Sequence, residues 1–212
     1  MSANLALGLS ILKKNTSQTQ EKEQLRNDSM INTEITSITD YLKINKIENK
    51  KLDNKFTVWF HDANEPEFTM DKFYNITNFG TVAEYTMTTQ ALRDNYKMLL
   101  NGMFFIMKND INPVWTDDAN RNGGCISWKI EKYNSLEYWE NLLMLFVTNN
   151  LPIELNKYNI NGISINPKKN CNIIKLWLAS DIEGDILNKI DLTDKCLFKD
   201  KLKLYKSFKK FI

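Results

Sequence analysis

This 212-residue chain is poor in the residues that do nucleophilic or metal chemistry: it has one histidine, His61, and three cysteines, Cys125, Cys171 and Cys196. The cysteines are odd in number and stand at no metal-ligand spacing. They read as reduced thiols of an intracellular protein, not as a disulfide framework or a zinc site. His61 has no serine or cysteine motif around it and reads as a surface histidine at the end of a strand. There is no glycine-rich phosphate loop, no glutamate-rich metal motif and no nucleophile–base pair, which weighs against an enzyme acting on nucleotides. No metal and no cofactor is expected. Apolar runs of ~18 residues are missing, so no membrane span is predicted. The first residues, MSANLALGLSILKK, lack the basic start and cleavage pattern of a signal peptide. A net charge of +2 is too small for non-specific binding to nucleic acid over the whole surface.

What is present is ordinary for a globular protein: 42% hydrophobic and 25% charged residues. The charge is uneven. Eleven lysines against six acidic residues between 166 and 212 give that end a net +5 and make it the anion-facing end. Residues 1–48 are rich in Ser, Thr, Asn, Gln, Glu and Lys and read as a disordered or loosely docked tail, with Leu5–Leu12 and Ile38–Ile47 as candidate transient helices. Residues 49–212 read as one domain, and a monomer is expected.

Phe56, Val58 and Phe60 alternate with Thr57 and Trp59, the period of a strand with an apolar face. A short strand follows at Phe73–Ile76. Thr81 and Glu84 have capping-box spacing and open a helix whose buried face is predicted to carry Val82, Tyr85, Thr89 and Leu92. Strands are predicted at Gly102–Lys108 and Ile126–Ile130. Asn134 and Glu137 are predicted to cap a helix that buries Leu136, Trp139, Leu143 and Phe146. Two more strands, Gly162–Pro167 and Ile173–Trp177, a short helix from Ser180 to Ile190 and a last strand at Leu202–Phe208 complete the reading. The fold class is α+β: a curved, mostly antiparallel sheet of six to eight strands, three helices on its convex face and a concave face left open.

The stretch from Asn109 to Ser127, NDINPVWTDDANRNGGCIS, organises the rest. It lies between two strands, begins with Pro113 and Trp115 and closes with Gly123 and Gly124. Pro113 favours an extended segment before it, which leaves Trp115 at a loop edge followed at once by Thr116, Asp117 and Asp118. That order suits a flat ring stacking on Trp115 beside a carboxylate. The segment PVWTDDANRNGGCISWKI resembles the Pro-x-Trp-Glu-Asp…Gly-Gly segment of the eukaryotic translation initiation factor 4E family, the messenger RNA cap-binding proteins. Similar matches run in order on both sides: Lys55–Phe60 to the family's first strand, Phe79–Tyr85 to a helix entry, Trp139 with Leu142 and Leu143 to its second helix, and Asn166, Lys168 and Trp177 to a strand pair.

The resemblance implies a pocket for the 7-methylguanosine cap of messenger RNA on the concave side. The positively charged base would sit between two aromatic faces, where cation–π attraction adds to stacking. One face is Trp115. The other family tryptophan is missing, and Phe68, next to the aligned Thr69, is the expected substitute. Thr116 stands where the family has the glutamate that accepts the guanine edge, so Asp117 is the expected acceptor. Trp177 corresponds to the residue that touches the N7 methyl group. For the phosphates the candidates are Lys168, in place of a family arginine, with Lys169, Lys175 and Arg121. Cys125 replaces a basic residue.

The resemblance also implies capped messenger RNA as ligand and, on the convex helices, a scaffold initiation factor of the 4G type or an altered counterpart. The candidate positions there are Val82, Thr86, Glu140, Asn141 and Met144. Thr86 replaces a central tryptophan and Glu140-Asn141 a Leu-Glu pair, so the standard scaffold peptide is expected to bind poorly. Cap binding in cytoplasmic translation initiation is the expected function. A cap-binding repressor, or an interaction module that kept the fold and lost the pocket, is the alternative.

Overall fold

The computed structural model describes residues 49–99, 102–182 and 203–210. The predicted tail at 1–48 and the helix from Ser180 to Ile190 lie outside the described residues, wholly or for the most part. Seven strands form one antiparallel sheet: β1 (Lys51–Asp62), β2 (Phe73–Thr81), β3 (Gly102–Lys108), β4 (Gly124–Glu131), β5 (Ile160–Pro167), β6 (Cys171–Leu178) and β7 (Lys203–Ser207). Their order across the curved sheet is β2-β1-β3-β5-β6-β4-β7. Helices α1 (Val82–Asp94) and α3 (Ser135–Val147) are long; α2 (Tyr96–Leu99) and α4 (Ile153–Asn156) are single turns.

Side chains alternate faces along a strand, so each strand feeds two layers. Phe56 and Val58 of β1, Phe104 and Ile106 of β3, Ile126, Trp128 and Ile130 of β4, Ile163 and Ile165 of β5, and Ile174, Leu176 and Leu178 of β6 point to one side. There they bury against Trp139, Leu142, Leu143 and Phe146 of α3. The intervening residues, among them Met103, Phe105, Met107, Cys125 and Trp177, point to the other side and form a second, smaller core with Phe73, Val114 and Phe208.

The N-terminus of α1 is built as its sequence predicts. The Glu84 amide donates to Thr81 Oγ1 at 3.3 Å, and the Gly80 amide donates to Glu84 Oε2 at 2.8 Å, so side chains satisfy two otherwise unpaired donors. Its buried face differs in part from the reading. Leu92 is buried as predicted and Tyr85 packs half-buried on the core, but Val82 is 45% exposed and Thr88 and Ala91 are buried, because α1 meets the sheet mainly with its C-terminal half. Asn134 also departs from expectation. It sits in a short 3-10 turn over Lys132–Asn134 with helical backbone angles, so its side chain makes no capping bond. The Ser135 hydroxyl donates to the Lys132 carbonyl there at 2.7 Å.

Candidate ligand-binding face

The concave face carries the predicted base-binding residues. Trp115 leaves the β3–β4 loop half-buried and packs on the smaller core. That loop is braced from within. Asn120 is fully buried, and its amide nitrogen donates to the Asn112 and Val114 carbonyls, both at 2.9 Å. Asn161 of β5 donates to Asn120 Oδ1 at 2.9 Å and to the Ala119 carbonyl at 2.7 Å. The loop then closes against β6. A side chain at Gly123 would collide with the Leu178 carbonyl, which is why glycine stands there. Asn120 and Asn161 hold the Trp115 segment in place, and no sequence signal marks either one.

Phe68 comes from the loop after β1 and reaches the same cluster. Its ring faces Trp115 with centroids 6.1 Å apart and an interplanar angle of 32°. His61 stacks on Phe68 as well, at 4.4 Å and only 8° from parallel. The expectation of a surface histidine is therefore wrong: His61 has 0% of its surface exposed. Strand alternation puts it on the concave face beside Trp59, and the 62–69 loop folds over it. Its Nε2 lies 2.8 Å from the Glu67 carbonyl.

Asp117 is engaged by its own loop. Oδ2 accepts from the Asn112 amide at 3.1 Å and Oδ1 from the Ala119 amide at 2.9 Å. Each oxygen retains a second lone pair. Thr116 is exposed beside it. Trp177 lies on the concave side but is only 4% exposed. Phe208 packs over it at 5.0 Å, Phe105 meets it edge-on at 5.9 Å, and its Nε1 donates to Ser164 Oγ at 3.0 Å. Phe208 was not expected at this site; its place depends on a register set by β7 pairing with β4.

The cations divide into two groups. Lys175 shares a face of β6 with Trp177 and is half-buried. Burial pushes its ammonium below the usual lysine range, and the charges of Lys168 and Lys206 push the same way while Cys125 opposes them. Those couplings gather Lys168, Lys175 and Lys206 into one positive region. Lys206 was missed for the same reason as Phe208: it stands opposite Cys125 through β7. Lys168 and Lys169 are exposed in the turn between β5 and β6, where the Lys168 amide donates to the Cys171 carbonyl at 2.8 Å. Arg121 is exposed too and pairs with Asp118 at 2.7 Å.

On the helical face, Val82 and Met144 are 45% and 48% exposed. Thr86 bonds back to the Val82 carbonyl at 2.9 Å. Glu140 is held by Arg93 in a two-point bridge of 2.9 and 2.7 Å that joins α1 to α3, and Asn141 beside it is half-buried. Tyr85 lies close, its hydroxyl pushed up to about 12 by burial and by the Glu140 charge.

A curved antiparallel sheet with helices on one side and an aromatic and basic layer on the other defines an α+β fold with an open concave face. The family model of eukaryotic initiation factor 4E matches residues 51–211, and the chain belongs to that family. It is 27% identical to initiation factor 4E of Candida glabrata over 133 residues, 61% of this chain and 63% of that protein. It is 26% identical to the Saccharomyces cerevisiae protein over 140 residues, 64% and 65% of the two chains. The matched segment thus spans slightly less than two thirds of either relative. The same fold is found in the solved complex of C. elegans eIF4E-3 with the 4E-binding protein Mextli and a cap analog, with a TM-score of 0.66, 18% identity, and 77% of this chain and 95% of the other covered. Among the described residues no helix is long and apolar enough to cross a membrane, and no group of three or more His, Cys, Asp or Glu is placed to hold a metal ion.

Proposed function

We propose that the protein binds the 7-methylguanosine cap of messenger RNA on its concave face and acts in translation by that binding, without catalysis. The observation that carries the reading is the approach of Phe68 and Trp115, with ring centroids 6.1 Å apart and a 32° tilt, on the sheet face that also carries Lys175, in a chain of this family. Methylation at N7 gives the base a positive charge, and two aromatic faces attract it from both sides. Lys168 and Lys175 take the phosphates, with Lys169, Lys206 and Arg121 at the rim. Asp117 accepts from the guanine edge through its remaining lone pairs, next to Thr116. Trp177 backs the site from beneath.

The ring spacing makes a demand of its own. A base inserted between two rings needs two contact distances, ~7 Å in all, so the 6.1 Å pair must open by about 1 Å and become parallel. That closed spacing favours one second reading, an interaction module that kept the fold and works through its helical face. There, the fixed Arg93–Glu140 bridge and the exposed Val82 and Met144 suit a partner other than the standard scaffold peptide of the 4G type. Titration with 7-methyl-GTP and GTP, followed by tryptophan fluorescence, separates the readings. Saturable quenching by the methylated ligand at far lower concentration supports cap binding. Equal or absent responses support the module.

A further inference from the structure

The fully buried His61 has no place in the site as the family resemblance draws it. Besides a tilted packing contact with Phe73, its ring makes one hydrogen bond and one parallel stack, and these two fall on adjacent residues of one loop. The Glu67 carbonyl can only accept, so Nε2 carries the proton and donates to it at 2.8 Å. The ring plane lies against Phe68 at 4.4 Å and 8°. The remaining nitrogen, Nδ1, is buried with no hydrogen-bond partner among the described residues. An unpaired buried nitrogen is costly. A phenyl ring would stack on Phe68 as well and avoid that cost. What the imidazole adds is the bond to Glu67, the residue just before Phe68.

We propose that His61 is a positioning residue for the ligand site: it fixes the backbone at Glu67 and the plane of Phe68, so that Phe68 presents its other face to a cationic planar base opposite Trp115. This rests on the cap-binding reading above. It assigns a function to a buried histidine whose other ring neighbour, Phe73, stands at 4.7 Å and 53°, a tilted packing contact. A histidine kept only to fill the core would not need both contacts on the same pair of loop residues.

Two variants and one spectroscopic measurement test it. His61→Leu removes the stack and the bond; His61→Phe keeps the stack and loses the bond. The expected result is that His61→Leu weakens 7-methyl-GTP binding about tenfold, at the low end of what one stacked face contributes. GTP binding, carried by the lysines, changes little, so the ratio of methylated to unmethylated affinity falls. His61→Phe recovers only part of the loss, because the stack returns and the bond to Glu67 does not. Should the leucine variant fail to fold, the unsubstituted protein still decides. Its single histidine gives one set of imidazole proton signals. These shift on saturation with 7-methyl-GTP and stay in place with inorganic tripolyphosphate. Folded variants with an unchanged affinity ratio, or imidazole signals that stay still while 7-methyl-GTP quenches the tryptophans, overturn the assignment and leave the cap-binding reading standing. No quenching at all by 7-methyl-GTP overturns both.

Discussion

The two faces of the sheet are built from the same strands and differ in almost everything else. On the helical face, Phe56, Val58, Phe104, Ile106, Ile126, Ile163, Ile165, Ile174 and Leu176 are sealed under α3, each with no exposed surface. On the concave face the strands carry the half-buried Trp59 and Lys175, and the loops add two half-buried aromatics, Phe68 and Trp115. One face is closed by elements of the chain itself. The other keeps aromatic surface and positive charge partly open to solvent, an arrangement that costs stability and that the proposed cap binding would explain. On that reading stability lies on one side and recognition on the other.

The largest expected effect strikes the helical side. Trp139 is 1% exposed in the middle of α3. Trp139→Ala should destabilise the fold by about 3–5 kcal/mol through the cavity it leaves, measured by urea denaturation. Trp115→Ala should do the reverse: it should weaken 7-methyl-GTP binding by about 10- to 100-fold, the contribution of one stacked face, with a small change in denaturation midpoint. Calorimetric titration checks it without relying on the tryptophan signal. If Trp115→Ala unfolds the protein as Trp139→Ala does, the division between the faces fails.

Lys175 sharpens the contrast through pH. Folding lowers its pKa, so the folded protein releases this proton before the unfolded chain does as pH rises. The unfolded state then binds more protons, and stability from this group increases with pH between the lowered value and the ordinary 10.5. Lys175→Met should remove that slope in pH-dependent denaturation and raise stability at neutral pH. The same variant should weaken binding of a triphosphate ligand about tenfold, the order of one charge-assisted hydrogen bond. The smallest effect belongs to Arg93→Ala. Its bridge joins an exposed arginine of α1 to the half-buried Glu140 of α3 at the surface, so its loss should cost about 0.2–1 kcal/mol and leave ligand affinity unchanged.

Much of the helical face was legible in the sequence because periodicity encodes burial. The alternation in Phe56–Phe60 and the 3.6-residue spacing of Trp139, Leu143 and Phe146 identify core residues, and the Thr81–Glu84 pair marks a helix start. On the concave face, the residues around Pro113 pointed to Trp115, strand alternation with Trp177 pointed to Lys175, and the family resemblance supplied Phe68 and Trp177. Three features of that face depend on tertiary placement. His61 is buried because a loop folds over a strand end, and local sequence does not record that. Phe208 and Lys206 join the site through the pairing of β7 with β4, a contact across some eighty residues. Asp117 reads as a free carboxylate next to a tryptophan, yet the amides of Asn112 and Ala119 occupy both its oxygens, because the loop turns back on itself.

The most direct test of the division between the faces is to map the backbone amide resonances that move when 7-methyl-GTP is added. Shifts confined to the segments around Phe68, Trp115, Lys168 and Lys175, with those of α1 and α3 unmoved, are the predicted result. Shifts centred on the two helices, or none at saturating ligand, would contradict it.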